Sequence, residues 1–552
     1  MKKLLLTVLC TVALCLQALA QDFPRCILAG DYADPSIMRE GKDFYMTHSM
    51  FNYNPGFLIW HSQDLVNWEP VCRVATKQLS NAWAPELFKL KGKYYLYYPS
   101  NKKIWMCSSD NIAGPWTAPR EVEGSEGIDP GHITDDQGNR YLFVNKGRMA
   151  RLNAEGTALT EPLKTVHKGW DIPKNWVTEG KWPEKYLESP KLIRHNGYYY
   201  LTSAEGGTAG PATSHMIVSA RAKSLEGPWE ESPYNPIVHT YSATDNWWSK
   251  GHGTLIDDAD GNWWIVYHAY ANGYRTLGRQ TLLEPIEWTS DGWFRTKATQ
   301  TLPKADKQIK HGFNLSDNFT SSRLGLQWTF YREYAPKTVT VGSGNLSMQG
   351  KGTSAGSARY LLTTAEDKGY DVKVDLKTVS EQSGLMLFYN EKAYSGITTD
   401  GKKFYLYHRG QLVKTMPNKW GKKCTLRLRN LGEKMTAQAS RDGRTWTTLA
   451  LGMDLSAMNH NELRGFLAIR PGLMAMGKGT ATFSNFTYTS HKPSEKDMKA
   501  YLMVYHKDED HGLHMAISYD GRQFKALNND NPIIAGDTIA RQKGIRDPHI
   551  YR

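Results

Sequence analysis

The chain has 552 residues, too many for one ordinary hydrophobic core. Its 40% hydrophobic content, with 48 Gly and 25 Pro, fits globular units and excludes a disordered chain. The net charge of +13 sits in short pairs such as Lys402-Lys403 and Lys422-Lys423, with no basic run around a nucleic-acid motif, so nucleic acid is excluded as a partner.

Export is predicted first. Lys2 and Lys3 precede an apolar run from Leu4 to Leu16, and Ala18-Leu19-Ala20 is a small-residue cleavage site, so residues 1–20 read as a signal peptide. The apolar run is too short to span a bilayer, and no transmembrane segment is expected. Beyond it four cysteines remain, Cys26, Cys72, Cys107 and Cys424, whose spacing matches no metal motif. They read as buried free thiols.

Residues 21–305 carry five repeats in which a marker residue is followed by a glycine turn and an aromatic strand. The turns are Gly41-Lys42-Asp43-Phe44-Tyr45, Gly92-Lys93-Tyr94-Tyr95, Gly138-Asn139-Arg140-Tyr141, Gly197-Tyr198-Tyr199-Tyr200 and Gly261-Asn262-Trp263-Trp264. The markers are Asp34, seven residues before the first turn, then Trp83, Asp129, Glu188 and His252, each nine residues before its own. A period of roughly 40–60 residues built from aromatic strands predicts a five-bladed β-propeller with one marker per blade around a central channel. Trp68, Trp116 and Trp229 follow polar turns on outer strands and are expected to cover the next blade. After a polar linker near Lys304–Lys310, residues 312–490 change to shorter alternating strands such as Asp371–Leu376 and Thr425–Arg429, which predict a two-sheet β-sandwich of jelly-roll type. Residues 499–552 read as one more blade and stop just after Asp547-Pro548, like Asp34-Pro35 at the start of the repeats. The expectation is a truncated second propeller, from a fragment or a shortened gene, whose removal leaves activity intact.

Three of the five markers are carboxylic acids. Two carboxyl groups flanking a glycosidic bond are what its hydrolysis requires, and in the inverting version they stand roughly 6.5–9.5 Å apart. Asp34 and Glu188, on blades one and four, would face each other across a channel of that order. Asp129, on the blade beside Glu188, would keep a neighbouring acid protonated by like-charge repulsion.

The ordered set Ala33-Asp34-Pro35-Ser36-Ile37, Trp83-Ala84-Pro85-Glu86-Leu87, Ile128-Asp129-Pro130, Glu188-Ser189-Pro190 and Gly251-His252-Gly253 resembles glycoside hydrolase family 43. The resemblance implies catalysis by Asp34 as general base, Asp129 as pKa modulator and orienter, and Glu188 as general acid. It departs at Ser189, where the family usually has Gly. It further implies Trp83 as a sugar-pocket wall, His252 on the channel axis contacting water or calcium, and Arg279 reaching the sugar beside the acid; Glu86 is expected to brace its strand. No cofactor is required, and a structural calcium is allowed. Asp317-Asn318-Phe319 with Leu324-Gly325-Leu326-Gln327-Trp328 resembles the concanavalin-like domain of the family's β-xylosidases, which can narrow the site to a pocket. The resemblance implies an exo-acting inverting hydrolase releasing terminal xylose or arabinose from plant polysaccharide or oligosaccharide. β-Xylosidase leads, with α-L-arabinofuranosidase second and a galactan-directed exo-enzyme third. A non-catalytic carbohydrate-binding protein is the alternative from another class. Loops such as Trp170–Trp182 are expected to shape specificity, and the oligomeric state is left open.

Overall fold

A computed structural model describes residues 23–77, 80–173, 185–491, 501–518, 522–536, 544–545 and 548–549. The signal segment, Asp547 and most of the Trp170–Trp182 loop lie outside the described residues. The chain divides into two units, residues 1–490 and 491–552. No helix among the described residues is long and apolar enough to cross a membrane.

Five antiparallel sheets form the first half of the larger unit. Blade I runs Ser36–Glu40, Asp43–Thr47, Gly56–Ser62, Glu69–Ala75; blade II runs Glu86–Leu90, Lys93–Ser100, Lys103–Ser109, Arg120–Glu121. Blade III runs Gly131–Thr134, Arg140–Val144, Arg148–Arg151, Lys164–Thr165; blade IV runs Glu188–His195, Tyr198–Glu205, Met216–Ala222, Glu230–Glu231. Each glycine of the repeats sits in the first hairpin of its blade with φ between 62° and 81°, a left-handed conformation that side chains resist.

Blade V breaks the linear order. Its strands Trp247–Asp257, Trp263–Ala271 and Gln280–Trp288 are completed by Arg25–Leu28 from the start of the described chain, with Arg25 opposite Leu283 and Cys26 opposite Leu282. This closure has no signal in the repeats, because the strand lies before the first of them. It covers an otherwise unpaired sheet edge and ties the first blade to the last.

Aromatic side chains fill the spaces between blades. Trp60, Trp68 and Trp264 are fully buried in the cluster joining blades I and V, and truncating any one to Ala should cost about 3–5 kcal/mol. The outer-strand tryptophans cover the preceding blade rather than the next. Trp229 of blade IV packs on Phe143 and His167 of blade III at 6.3 and 6.0 Å. Trp116 of blade II and Cys72 of blade I donate to the same carbonyl, that of Ile112. The twist between adjacent strands rotates the outer strands back over the preceding sheet. All four cysteines are free thiols, and burial raises each above its ordinary range, to about 11 for Cys72 and about 12 for the others.

The sandwich consists of an eight-stranded and a seven-stranded antiparallel sheet. The predicted strands meet directly: Gly369–Thr378 pairs with Lys423–Leu431, placing Asp371 opposite Arg429, and their side chains form an ion pair at 2.7 Å. One strand of the larger sheet belongs to the propeller. Tyr53–Asn54, on the excursion between the second and third strands of blade I, pairs with Thr329–Tyr331 of the sandwich. Arg470 reaches back from the sandwich, lying 3.6 Å over the Tyr53 ring and 3.6 Å from Asp31. Propeller and sandwich therefore share backbone hydrogen bonds and buried charge within one unit.

The smaller unit contains a three-stranded antiparallel sheet, Tyr501–His506, Leu513–Ser518 and Lys525–Ala526. Among the described residues this sheet has three strands, one fewer than the four of each of blades I to III.

Removing residues 23–28 should expose the outer edge of Thr281–Leu283 and lower the melting temperature by at least several degrees, with loss of native near-UV circular dichroism. An unchanged thermal transition would show that the closing strand is dispensable.

Candidate active site

The five marker residues line one cavity of about 790 Å³ at the channel mouth. Three of them hold backbone that only a rigid surround tolerates: φ is 58° at Asp34, 55° at Asp129 and 60° at His252, and Ser189 beside Glu188 has 56°. Left-handed backbone at a non-glycine residue costs on the order of 1–3 kcal/mol. The departure at Ser189 now has a physical meaning. Glycine relieves this strain, and serine accepts it while burying a hydroxyl with no partner among protein atoms.

Two glycines permit the convergence. A Cβ on Gly131 would fall 1.8 Å from the Pro190 carbonyl oxygen, and one on Gly251 would fall 1.7 Å from the His215 ring. Without side chains at these points, the Asp129 turn comes close enough to blade IV for the Ser189 N–H to donate to Asp129 Oδ2 at 3.3 Å.

Asp34 is buried and strongly held. Arg279 Nη1 donates to Oδ1 at 3.0 Å and Ser49 donates to Oδ2 at 2.5 Å. Nδ1 of His268 lies 3.0 Å and Nδ1 of His252 3.4 Å from Oδ1. Burial alone would raise this carboxyl, but Arg279, with His252 and His268, outweighs it and holds Asp34 well below the usual range. The other two acids move the opposite way. Burial and then the charges of Glu188 and Asp34 raise Asp129 well above its ordinary value. Burial and the charge of Asp34 push Glu188 up to about 7, against Arg279. One cavity thus holds one carboxyl, Asp34, biased toward its ionised form and two, Asp129 and Glu188, biased toward their protonated forms. The buried histidines are kept neutral, chiefly by burial, with His268 lowered to about 4 and His252 well below its ordinary value.

Arg279 donates to Asp34, the expected base, and lies near enough to Glu188 for its charge to oppose the rise there. The buried Arg279 guanidinium and the Asp34 carboxylate compensate each other, because either left unpaired there would be costly. Trp83 does face the cavity, with its Nε1 fixed by Asn81 at 2.6 Å. Glu86 is withdrawn from it and forms an ion pair with Lys191.

The residues that sequence reasoning missed come mainly from outside the repeats. From the sandwich, the turn after the helix His460–Leu463 brings Phe466 into the cavity, stacked on His460 at 3.8 Å and facing Phe51 at 6.5 Å. The Asn459 side chain caps this helix, and Asn461 clamps Gly210 of the propeller through both its amide groups, at 3.0 and 2.9 Å. Nothing in the spacing of residues 459–466 announces them, since their role depends on domain docking. His268 could have been found, as it stands near the end of the aromatic strand in the fifth repeat.

Asp34, His252 and His268 lie close enough together to share an ion. They do not fit calcium held directly by protein. Calcium takes six to eight oxygen ligands, whereas this set offers two imidazoles and one carboxylate already engaged by Arg279.

A five-bladed propeller with three carboxyl groups and aromatic walls at its channel mouth defines the class of carbohydrate-active propellers. Residues 23–294 match the model of glycosyl hydrolases family 43, and residues 316–489 match the β-xylosidase C-terminal concanavalin A-like domain. Residues 496–552 match a probable glycosyl hydrolase domain. Residues 23–294 therefore form a glycosyl hydrolase family 43 domain. It is 31% identical over 360 residues to the non-reducing end α-L-arabinofuranosidase BoGH43B of Bacteroides ovatus, covering 59% of this chain and 65% of that one. It is 28% identical over 438 residues to a putative β-xylosidase of Escherichia coli, covering 70% and 79%. The solved structure of the family 43 protein BlXynB from Bacillus licheniformis superposes with a TM-score of 0.76 at 26% identity, over 85% of this chain and 100% of that one.

The raised carboxyl at Asp129 sets a stability prediction. A group whose folded pKa lies above its unfolded value loses stability as pH rises from the unfolded to the folded pKa. Asp129→Asn keeps an acceptor for Ser189 without a chargeable group, so it should raise the melting temperature by a few degrees at pH 7 and by less at pH 4. A lower melting temperature at pH 7 would mean that Asp129 is a stabilising anion.

Proposed function

We propose that the chain is an exo-acting, inverting glycosidase that releases terminal xylose or arabinose from plant cell-wall polysaccharides. The observation that carries this reading is the opposite electrostatic fate of Asp34 and Glu188 in one cavity. A single-displacement hydrolysis needs an ionised carboxylate to take a proton from water and a protonated one to give a proton to the leaving oxygen. Asp34, anchored by Arg279 and Ser49, is the base. Glu188, at the first residue of the blade IV inner strand, is the acid. Asp129 holds the Ser189 N–H beside Glu188, and burial together with the Asp34 charge disfavours the ionised form of Glu188.

The aromatic walls support the choice of substrate. Trp83, Phe51 and Phe466 offer apolar faces to the C–H surface of a sugar ring. The sandwich loop around Phe466 walls one side of the cavity, which favours removal of a terminal residue over cleavage within a chain. β-Xylosidase is the first reading, supported by the concanavalin-like domain match and by relatives named β-xylosidase in Escherichia coli and Bacillus subtilis. α-L-Arabinofuranosidase is the second, supported by the name of the Bacteroides relative. Export is proposed from the Lys2-Lys3 and Leu4–Leu16 pattern.

Glu188→Gln should lower kcat by about 10²–10⁴-fold on a natural disaccharide. The loss should be far smaller on an aryl glycoside whose leaving group needs no proton. Asp34→Asn should lose as much on both substrates. Because Glu188 must be protonated, wild-type kcat/KM should fall as pH rises through about 7. Equal losses on both substrates for Glu188→Gln would remove it from the role of acid.

Proton NMR of the first minutes of hydrolysis should show xylose released from a β-xyloside as the α-anomer. Initial release of the β-anomer would replace single displacement with a covalent intermediate.

A further inference from the structure

Below the sugar cavity the channel holds a buried ammonium. Lys191 stands on the inner strand of blade IV, three residues after Glu188, and its side chain is 3% exposed. Its Nζ donates to the carbonyl of Pro85 in blade II at 2.8 Å and to the carbonyl of Pro130 in blade III at 3.3 Å, and it pairs with the Glu86 carboxylate. Glu86 is tied in turn to blade I, because Ser36 donates to it at 3.2 Å. Pro130 immediately follows Asp129, and Pro85 ends the turn that carries Trp83. One cation therefore gathers the turns of two marker residues beneath the third acid.

We propose that Lys191 is a positioning residue for the acid pair: its ammonium, fixed beneath the cavity by Glu86 and the Pro85 and Pro130 carbonyls, seats the Asp129 turn and sets how tightly Asp129 and Glu188 share protons. A bare cation at that point would draw the protons off both acids, and a bare Glu86 carboxylate would hold them on. The paired state leaves a partial positive field directed at Asp129, where the Lys191 charge opposes the effects of burial, Glu188 and Asp34. The same cation helps to keep His252 of blade V neutral, after the larger effect of burial. The charged and titratable groups around the site are Glu86 on blade II, Asp129 on blade III, Glu188 and His215 on blade IV, His252, His268 and Arg279 on blade V, and Asp34 at the start of blade I. Among these, only Glu86 and Lys191 can be changed without touching a group assigned to chemistry or to the sugar pocket.

The inference rests on Glu188 being the acid whose loss of a proton sets the alkaline limb of kcat/KM. The experiment measures that limb in the full chain, on one aryl glycoside with a poor leaving group, for three variants. Lys191→Met leaves Glu86 alone, and the limb should move up by roughly one pH unit. Glu86→Gln leaves Lys191 alone, and the limb should move down by a similar amount. The double variant Lys191→Met with Glu86→Gln has lost every cross-link of the ammonium but carries no net change in charge, and its limb should return close to that of the wild type despite a lower melting temperature. If Lys191→Met does not fold, Glu86→Gln and the double variant decide alone. Limbs that coincide in all folded variants, or shifts of the same sign in both single variants, would overturn the proposal and leave Lys191 as a structural brace. Glu188→Gln measured alongside separates this failure from failure of the underlying reading: if that variant keeps the alkaline limb, Glu188 is not the acid.

Discussion

The whole site depends on one ion pair. Asp34 is a carboxylate buried at the channel mouth, and Arg279 donates to it from the last blade while Ser49 donates from the first. Burial alone would return the proton to Asp34. With Arg279 in place the charge remains, and that fixed charge then helps to keep protons on Glu188 and Asp129. The two carboxyl groups are therefore not independent. The pairing that ionises one contributes to the neutrality of the other, in the way that neighbouring titratable groups are driven apart in glycosidase sites generally.

A propeller suits this arrangement because each blade delivers one residue to the axis from its own direction. The inner strands are pinned to one another by polar contacts as well as by aromatic packing. Thr254 of blade V donates to the Pro35 carbonyl, Ser36 of blade I to Glu86 of blade II, Lys191 of blade IV to blades II and III, and Thr202 of blade IV to the Gly253 carbonyl of blade V. That ring supports the left-handed backbone at Asp34, Asp129, Ser189 and His252, which an open sheet would relax. Closure by Arg25–Leu28 keeps the ring from opening at its seam.

The repeats were legible because glycine turns and aromatic strands recur at nearly constant spacing, and spacing maps onto height around the axis. Asp34, Trp83, Asp129, Glu188 and His252 can thus be placed around one cavity from the sequence alone. Other parts were not legible for physical reasons. The bond from Arg279 to Asp34 depends on the last blade meeting the first, residues 245 positions apart, and spacing does not encode that contact. Phe466, Asn461 and His460 reach the cavity only because the sandwich docks, and docking rests on contacts hundreds of residues apart, such as Tyr53 with Arg470 and Asn54 with Phe330. The direction in which Trp229 leans follows from sheet twist, which a linear pattern does not encode.

The central claim is that Asp34 is ionised while Glu188 carries a proton in the same cavity at mildly acidic pH. Neutron diffraction from crystals equilibrated in heavy water at pD 6 locates those protons directly. The account predicts a deuteron on a Glu188 carboxyl oxygen and none on either oxygen of Asp34, with the Arg279 and Ser49 deuterons pointing at Asp34. A deuteron on Asp34, or a bare Glu188 beside it, would contradict the assignment of base and acid.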